Sequence, residues 1–234
     1  MTDWLSPEEW QAVALSLKVA LWATLLSLPF GLLTAHALAR WQFPGKALLN
    51  GVVHLPLIMP PVVTGYLLLM AFGRRCPIGT LLEDWFGIVI AFRWTGAVLA
   101  AAVMAFPLMV RAMRLAIEAV DPKLEQAASS LGANRFWIFV TVTLPLILPG
   151  ILAGAVLAFA KATGEFGATI TFVSNIPGQT QTLPLAIYSI LQIPGGEAQA
   201  FRLVGVAIAV SMGALLLSEW LARAVARRIG GRDA

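Results

Sequence analysis

Residues 121–150, DPKLEQAASSLGANRFWIFVTVTLPLILPG, decide the fold because they pass from a short polar helix into a long apolar segment. Asp121 suits the N-cap of a helix, and Pro122 suits its first position, where a missing amide hydrogen costs nothing. Gly132 is typical of the residue just past a helix end. The pattern predicts a capped helix of about ten residues, roughly 15 Å long.

The composition of the whole chain places this segment in a membrane protein. Of the 234 residues, 59% are hydrophobic and 12% are charged, and the mean hydropathy is +0.83. A soluble domain is roughly 45–50% apolar and about 25% charged, so too few charges are present here to cover a water-exposed surface. The same figures exclude a disordered chain. A single cysteine, Cys76, excludes an intrachain disulfide and any metal motif of several cysteines.

Five apolar stretches are long enough to cross a bilayer, which takes about 20 residues of helix. They are predicted at about 13–38, 47–72, 94–110, 146–173 and 203–222. The second contains Pro56, Pro60 and Pro61, so we expect it to be kinked or broken and packed inside a bundle. The shorter run 183–193 predicts a surface or re-entrant helix. The chain is thus predicted to be a single all-α integral membrane domain over residues 1–234, with its core at about 11–222.

The basic residues are divided unequally between the two sides of this arrangement. Ten lie in connections on one side and four in connections on the other. The ten are Arg40, Lys46, Arg111, Arg114, Lys123, Arg135, Arg223, Arg227, Arg228 and Arg232, and the four are Arg74, Arg75, Arg93 and Arg202. Because cytoplasmic loops carry the excess of Lys and Arg, we predict that the N-terminus lies outside and the C-terminus in the cytoplasm. Topology therefore accounts for the net charge of +4 without nucleic-acid binding.

The helix predicted at the start of 121–150 lies on the cytoplasmic side and is amphipathic. Its apolar face holds Leu124, Ala127, Ala128 and Leu131, and its polar face holds Glu125, Gln126, Ser129 and Ser130. A helix this short is marginal in water, so it needs a surface to pack against. That surface is either the bundle of its own chain or a groove in a cytoplasmic partner. Alanines favour the partner because they permit its close approach.

The spacing around this helix is specific. Gln126-Ala127-Ala128 is followed by three residues and Gly132, and then by nine residues and Val142-Thr143-Leu144-Pro145. This resembles the EAA motif of ABC-importer permeases, EAA-x3-G-x9-I-x-LP. Gln126 stands where the family has Glu, with Glu125 one place earlier, and Val142 stands where it has Ile. The resemblance implies that the loop 119–137 forms a coupling helix that seats in a cleft of an ATP-binding subunit. The coupling residues are then Leu124, Glu125, Gln126, Ala127, Ala128, Leu131 and Gly132.

Two further segments extend the resemblance over nearly the whole chain. They are residues 43–69, FPGKALLNGVVHLPLIMPPVVTGYLLL, and 164–197, GEFGATITFVSNIPGQTQTLPLAIYSILQIPGGE. Together with 124–150, they are similar to molybdate ABC-transporter permeases, whereas sulfate permeases depart from 174–188. The resemblance implies the type I ABC importer permease fold, a second copy of the chain, two ABC ATPase subunits and an extracytoplasmic molybdate-binding protein.

No Walker A sequence, GxxxxGK[ST], occurs in the chain. ATP and Mg are therefore expected to be used by the partner ATPase, and the permease itself to bind no cofactor or metal and to have no catalytic residue.

Two opposite charges lie in the predicted fourth span. Lys161 and Glu165 are four residues apart and share one face of a helix. Charges at membrane depth are costly and usually face the bundle interior or water. One interpretation places Lys161 on the path of an oxyanion, with Glu165 holding Lys161 or stabilising a gate. The other is a mutually neutralised pair that packs the bundle.

A stripe of small and polar residues runs through the same segment. Its members, at spacings of four, four and three, are Thr163, Gly167, Thr171 and Ser174. Such a stripe is typical of helix–helix contact, and the alternative is a translocation path lined by hydroxyl donors. The sequence GEFG at 164–167 places two glycines around an acid and is compatible with a bend.

These observations predict a permease subunit, not an enzyme, in the cytoplasmic (inner) membrane that imports molybdate. Import of tungstate or sulfate by the same kind of machine stays open. So does a different class, a gradient-driven secondary anion carrier that uses Lys161 and Glu165 as a coupling pair. Dependence of uptake on ATP and a co-purifying ATPase supports the permease. Dependence on a proton gradient without an ATPase supports the carrier.

Overall fold

Caps, prolines and glycines divide the apolar chain into helices of very unequal length. The computed structural model describes residues 4–230, and within that range the chain is helical with no strand. The α-helices are α1 Pro7–Arg40, α2 Lys46–Ile58, α3 Pro61–Phe72, α4 Pro77–Phe86, α5 Trp94–Glu118, α6 Pro122–Ser130, α7 Arg135–Ile138, α8 Leu144–Thr163, α9 Gly167–Val173, α10 Leu183–Leu191 and α11 Glu197–Gly230; a π-helical turn spans Phe139–Thr143. Residues 1–3 and 231–234 of the predicted domain, Arg232 among them, lie outside the described residues.

Four segments of the described chain are long and apolar enough to cross a membrane. They are Pro7–Arg40, Trp94–Glu118, Arg135–Thr163 and Glu197–Leu217. The pair α2 and α3 forms a fifth span if counted as one, with a bend of 116° between its halves. The prediction of about five spans, with the second one broken, is confirmed. Pro60 and Pro61 cause the break because neither has an amide hydrogen to donate to the preceding turn.

The core lies where α1, α5 and α8 pack against one another. Alanine is the commonest residue among its buried side chains, so the three helices approach closely. Met109, Met113 and Ile117 of α5 are fully buried in this core. The third span was predicted to end near Val110, but α5 continues to Glu118. Charged residues end the apolar pattern in the sequence, but they do not end the helix. Arg114 donates a hydrogen bond to the Glu118 carboxylate, one turn later, at 2.7 Å, and this pair lies in the last part of α5.

The fourth span differs most from its prediction. It was predicted as one helix over 146–173, whereas it begins at Arg135, ends at Thr163 and is separated from α9 by residues 164–166. At the break, the Glu165 carboxylate accepts a hydrogen bond from the Ala168 amide at 3.1 Å and so satisfies a free amide in the first turn of the new helix. The helix is therefore interrupted at GEFG. Lys161 lies in the last turn of α8 and Glu165 lies in the break, so the two charges are not within one continuous span.

A short helix is present in the run 183–193, as predicted: it is α10, Leu183–Leu191, and one of its sides is buried. It packs against α1 and α11, and the Leu183 amide donates to the Ser16 hydroxyl of α1 at 2.6 Å.

Candidate functional site

The amphipathic helix predicted from 121–150 is α6, and both of its ends are fixed as expected. At the start, the Asp121 carboxylate accepts from the Lys123 amide at 2.9 Å. At the end, Gly132 adopts φ +87°, a left-handed conformation that glycine reaches without strain. The Ala133 amide then bonds back to the Ala128 carbonyl. This closure sets where the chain leaves α6 for the fourth span.

Most of the apolar face of α6 is not covered by its own chain. All nine residues of the helix are described, and none of them is buried. Leu131, just past the helix, is 90% exposed, and Leu124 and Ala127 are also exposed. Within the described chain, Glu125 and Ala128 are the residues of α6 that are partly buried. The bundle therefore covers one side of the helix and leaves the rest of its surface open.

Glu125 and Gln126 point in different directions. Glu125 accepts a hydrogen bond from the Thr143 hydroxyl at 2.8 Å and from the Arg40 guanidinium at 3.4 Å. Gln126 is exposed. Sequence reasoning identified neither Arg40 nor Thr143 as a partner of Glu125. No local pattern in the sequence signals either contact.

The breaks in the second and fourth spans lie against each other. The beginnings of α3 and α9 pack together, and a Cβ on Gly167 would stand 2.8 Å from the Pro61 side chain. A Cβ on Gly65 would stand 2.5 Å from the Ala168 carbonyl oxygen. Two helices that start at breaks therefore share one tightly packed contact, which runs from the exposed Pro61 to the buried Gly65 and Ala168.

We expect Gly65→Ala to loosen this contact. The added methyl group would overlap the backbone of Ala168, and overpacking of this kind costs about 1–3 kcal/mol. The measurement is the thermal unfolding of the detergent-solubilised protein. Gly51→Ala in α2 is the matched control, because its Cβ would meet no described atom within 4 Å. Equal melting temperatures for the two variants would contradict the prediction.

Lys161 and Glu165 form an ion pair with a 2.5 Å distance between the Lys161 Nζ and a Glu165 carboxylate oxygen. The other oxygen caps α9 at the Ala168 amide. The Glu165 side chain is 2% exposed and that of Lys161 is 31% exposed. Lysine is thus the accessible member of the pair, and an anion that approached would meet the positive charge first.

The stripe of small and polar residues is interrupted by the break. Thr163 lies on α8 and donates to the Phe159 carbonyl, and Thr171 lies on α9 and donates to the Gly167 carbonyl. Ser174 follows α9 with φ +65° and is exposed. The four residues therefore do not form one continuous helical stripe. Gly167 and Thr171 contact α3, while Thr163 borders a mostly apolar cavity of about 320 Å³ between α8, α10 and α11.

Among the side chains that the structure describes, no group of three His, Cys, Asp or Glu is placed to hold a metal ion. His36 packs its ring edge-on against Phe139, with centroids 5.3 Å apart, and against Trp41.

The chain is similar to known membrane transport proteins over almost its whole length. The family described as "Binding-protein-dependent transport system inner membrane component" matches residues 27–231. The molybdenum transport system permease protein ModB of Escherichia coli (strain K12) is 64% identical over 226 residues, which are 97% of this chain and 99% of the relative. The protein of the same description from Haemophilus influenzae is 57% identical over 222 residues, 95% of this chain and 97% of the relative.

A solved structure has the same fold at low sequence identity. It is a chain of a bacterial ABC transporter involved in the import of the acidic polysaccharide alginate. The TM-score is 0.74 and the identity 18%, over 94% of this chain and 80% of the other. This likeness concerns the fold alone, which is that of a type I ABC importer permease.

Proposed function

The chain belongs to the family of binding-protein-dependent transport system inner membrane components, and on that premise we propose that it is the permease subunit of an ATP-driven importer that moves molybdate into the cell. The observation that carries the proposal is the 64% identity to a molybdenum transport permease, which extends over 97% of this chain and 99% of that relative.

In the proposed transporter, other polypeptides hydrolyse ATP and capture the substrate. It contains a second copy of this chain, two ABC ATPase subunits and an extracytoplasmic molybdate-binding protein. ATP and Mg are used by the ATPase subunits, since this sequence has no Walker A segment. The uncovered face of α6 supports an ATPase partner, because a short helix with exposed Leu124 and Leu131 needs a surface to cover it. In this proposal the N-terminus is outside and the C-terminus and α6 are cytoplasmic.

The proposed coupling residues are those of the EAA-like segment, Leu124 to Ala128 with Leu131 and Gly132. Gln126 and Ala127 are exposed and so are available to the ATPase, whereas Glu125 bonds to its own bundle.

The proposed translocation residues lie around the break after α8. Lys161 attracts the oxyanion, and Glu165 holds Lys161 while it caps α9. Gly167 and Thr171 support this site through their contact with α3. In the sequence, Thr163 precedes the break and Ser174 follows α9. No tight site is needed here, because capture by a binding protein leaves the permease to offer a weak, transient path.

Reconstitution in proteoliposomes tests the proposed function. With the ATPase and the binding protein present, we expect molybdate uptake that requires ATP and survives a protonophore. Uptake that needs no ATPase and stops with the protonophore would contradict it and support a gradient-driven carrier. Competition by tungstate and by sulfate, compared with the affinity of the binding protein for each, identifies the preferred oxyanion.

A further inference from the structure

The coupling helix is attached to the bundle through one carboxylate. In the described part of the chain, the side-chain hydrogen bonds between α6 and other elements are those of Glu125, to Thr143 at 2.8 Å and to Arg40 at 3.4 Å. The Arg40 guanidinium also donates to the Val120 carbonyl at 2.9 Å. Arg40 is the last residue of α1, Val120 follows α5, and Thr143 ends the π-helical turn. Three side chains therefore connect α6 to the end of α1, to the segment that follows α5 and to the π-helical turn of the fourth span.

This connection is partly shielded from water. Thr143 is 1% exposed, and the side chains of Arg40 and Glu125 are 19% and 26% exposed. Hydrogen bonds with a charged partner are stronger than neutral ones, and shielding from water strengthens them further. The ring of His36, one turn before Arg40, packs on Phe139 of the same π-helical turn and closes one side of the cluster.

The π-helical turn presents two threonines in different ways. Thr141 is exposed, and its hydroxyl donates back to the Trp137 carbonyl within the same helical segment. Thr143 instead donates its hydroxyl away from its own helix to Glu125. Single π-helical turns occur frequently at functional sites. The hydroxyl of Thr143 is therefore committed to the contact with α6.

We propose that Arg40, Glu125 and Thr143 form a coupling joint, which holds α6 in a fixed position on the ends of α1 and α5 and on the π-helical turn of the fourth span. The proposal rests on the proposed function and deepens it. When the ATPase moves α6, the coupling joint passes the movement to the spans. Without it, α6 would be held by flexible connections and by a face with no buried residue, so α6 would shift on the bundle while the spans stayed in place. The three residues are positioning residues, and contact with the ATPase is left to Gln126 and Ala127.

The test is Thr143→Val in the complete transporter, because valine keeps the shape of threonine and removes the hydroxyl. We expect the ATPase to co-purify as with the wild type, while the molybdate transported per ATP hydrolysed falls about tenfold, equivalent to about 1.4 kcal/mol. Thr143→Ser keeps the hydroxyl and should restore most of the ratio. Thr141→Val is the matched control in the same turn and should leave the ratio unchanged.

Two results would overturn the coupling joint. One is a wild-type transport ratio in Thr143→Val, and the other is loss of the ATPase from that variant, which would indicate a role in docking. If Thr143→Val does not fold, the same transport ratio is measured for three other proteins. They are Arg40→Gln, Glu125→Gln and the variant that carries both changes. A coupling joint predicts a double variant no worse than either single one, whereas additive losses would contradict it. Failure of the proposed function is distinct, because the wild type itself would then show no ATP-dependent uptake.

Discussion

Replacing Ala127 with glutamate is expected to remove the ATPase from the transporter while the membrane bundle stays folded. Ala127 is exposed on α6, so the larger side chain meets no neighbour in the permease itself. In a complex, the same position would place a carboxylate without a partner in an apolar groove, at a cost of about 3–5 kcal/mol. That is more than about 100-fold in the dissociation constant. Titration of the purified ATPase against the permease in nanodiscs measures the change.

Ser129→Glu is the control for this prediction. It adds the same charge to an exposed position on the polar face of α6 and should leave the affinity within about threefold of the wild type. Gly132→Pro should weaken docking by a different route, because proline holds φ near −65° whereas the turn needs +87°. Normal co-purification of the ATPase with Ala127→Glu would refute the docking role of this face.

Replacing Lys161 with methionine is expected to abolish most of the molybdate uptake. The single variant has a second effect, since it leaves the carboxylate of Glu165 almost fully buried without its cation. An unpaired buried charge costs about 3–5 kcal/mol, enough to unfold a protein of marginal stability. The informative protein is therefore the double variant Lys161→Met with Glu165→Gln, which removes both charges and retains an acceptor for the Ala168 amide.

For the double variant, we expect near-normal thermal stability and normal association with the ATPase, with uptake reduced at least about tenfold. Lys161→Arg keeps the positive charge and should retain a large part of the uptake. Wild-type uptake by the double variant would show instead that the pair serves packing alone, the alternative that the sequence left open. Rates of uptake into proteoliposomes and melting temperatures together separate the two roles.

Features determined by neighbouring residues were predictable from the sequence. The caps of α6 at Asp121 and Gly132, the break at Pro60-Pro61 and the short helix at 183–193 each depend on local backbone chemistry. The sequence predicts such features well because the deciding groups lie within a few residues of one another.

Features that depend on tertiary contacts were not predictable in the same way. Hydropathy placed the fourth span at 146–173, since it does not register the break at residues 164–166, where the Glu165 carboxylate bonds to the Ala168 amide. The prediction of a stripe from Thr163 to Ser174 was wrong for the same reason, because it required one continuous helix through the break. The contact of Glu125 with Arg40 joins residues 85 positions apart, and nothing in the spacing of either one specifies it. Pairings of this kind follow from how the helices pack, which no single-sequence pattern encodes.

The spans differ widely in how much of their apolar surface is buried inside the molecule. In α5, 61% of the apolar window is buried inside the molecule, whereas in Glu197–Leu217 the figure is 11%, and α2 buries Val53 alone. Helices insert individually and associate afterwards, and their association depends on close packing of small residues. We expect the alanine-rich contacts of α1, α5 and α8 to form early in this association. Within the described chain α11 also contacts α8 and α3 contacts α9, so these helices join the same bundle while the rest of their apolar surface faces outward.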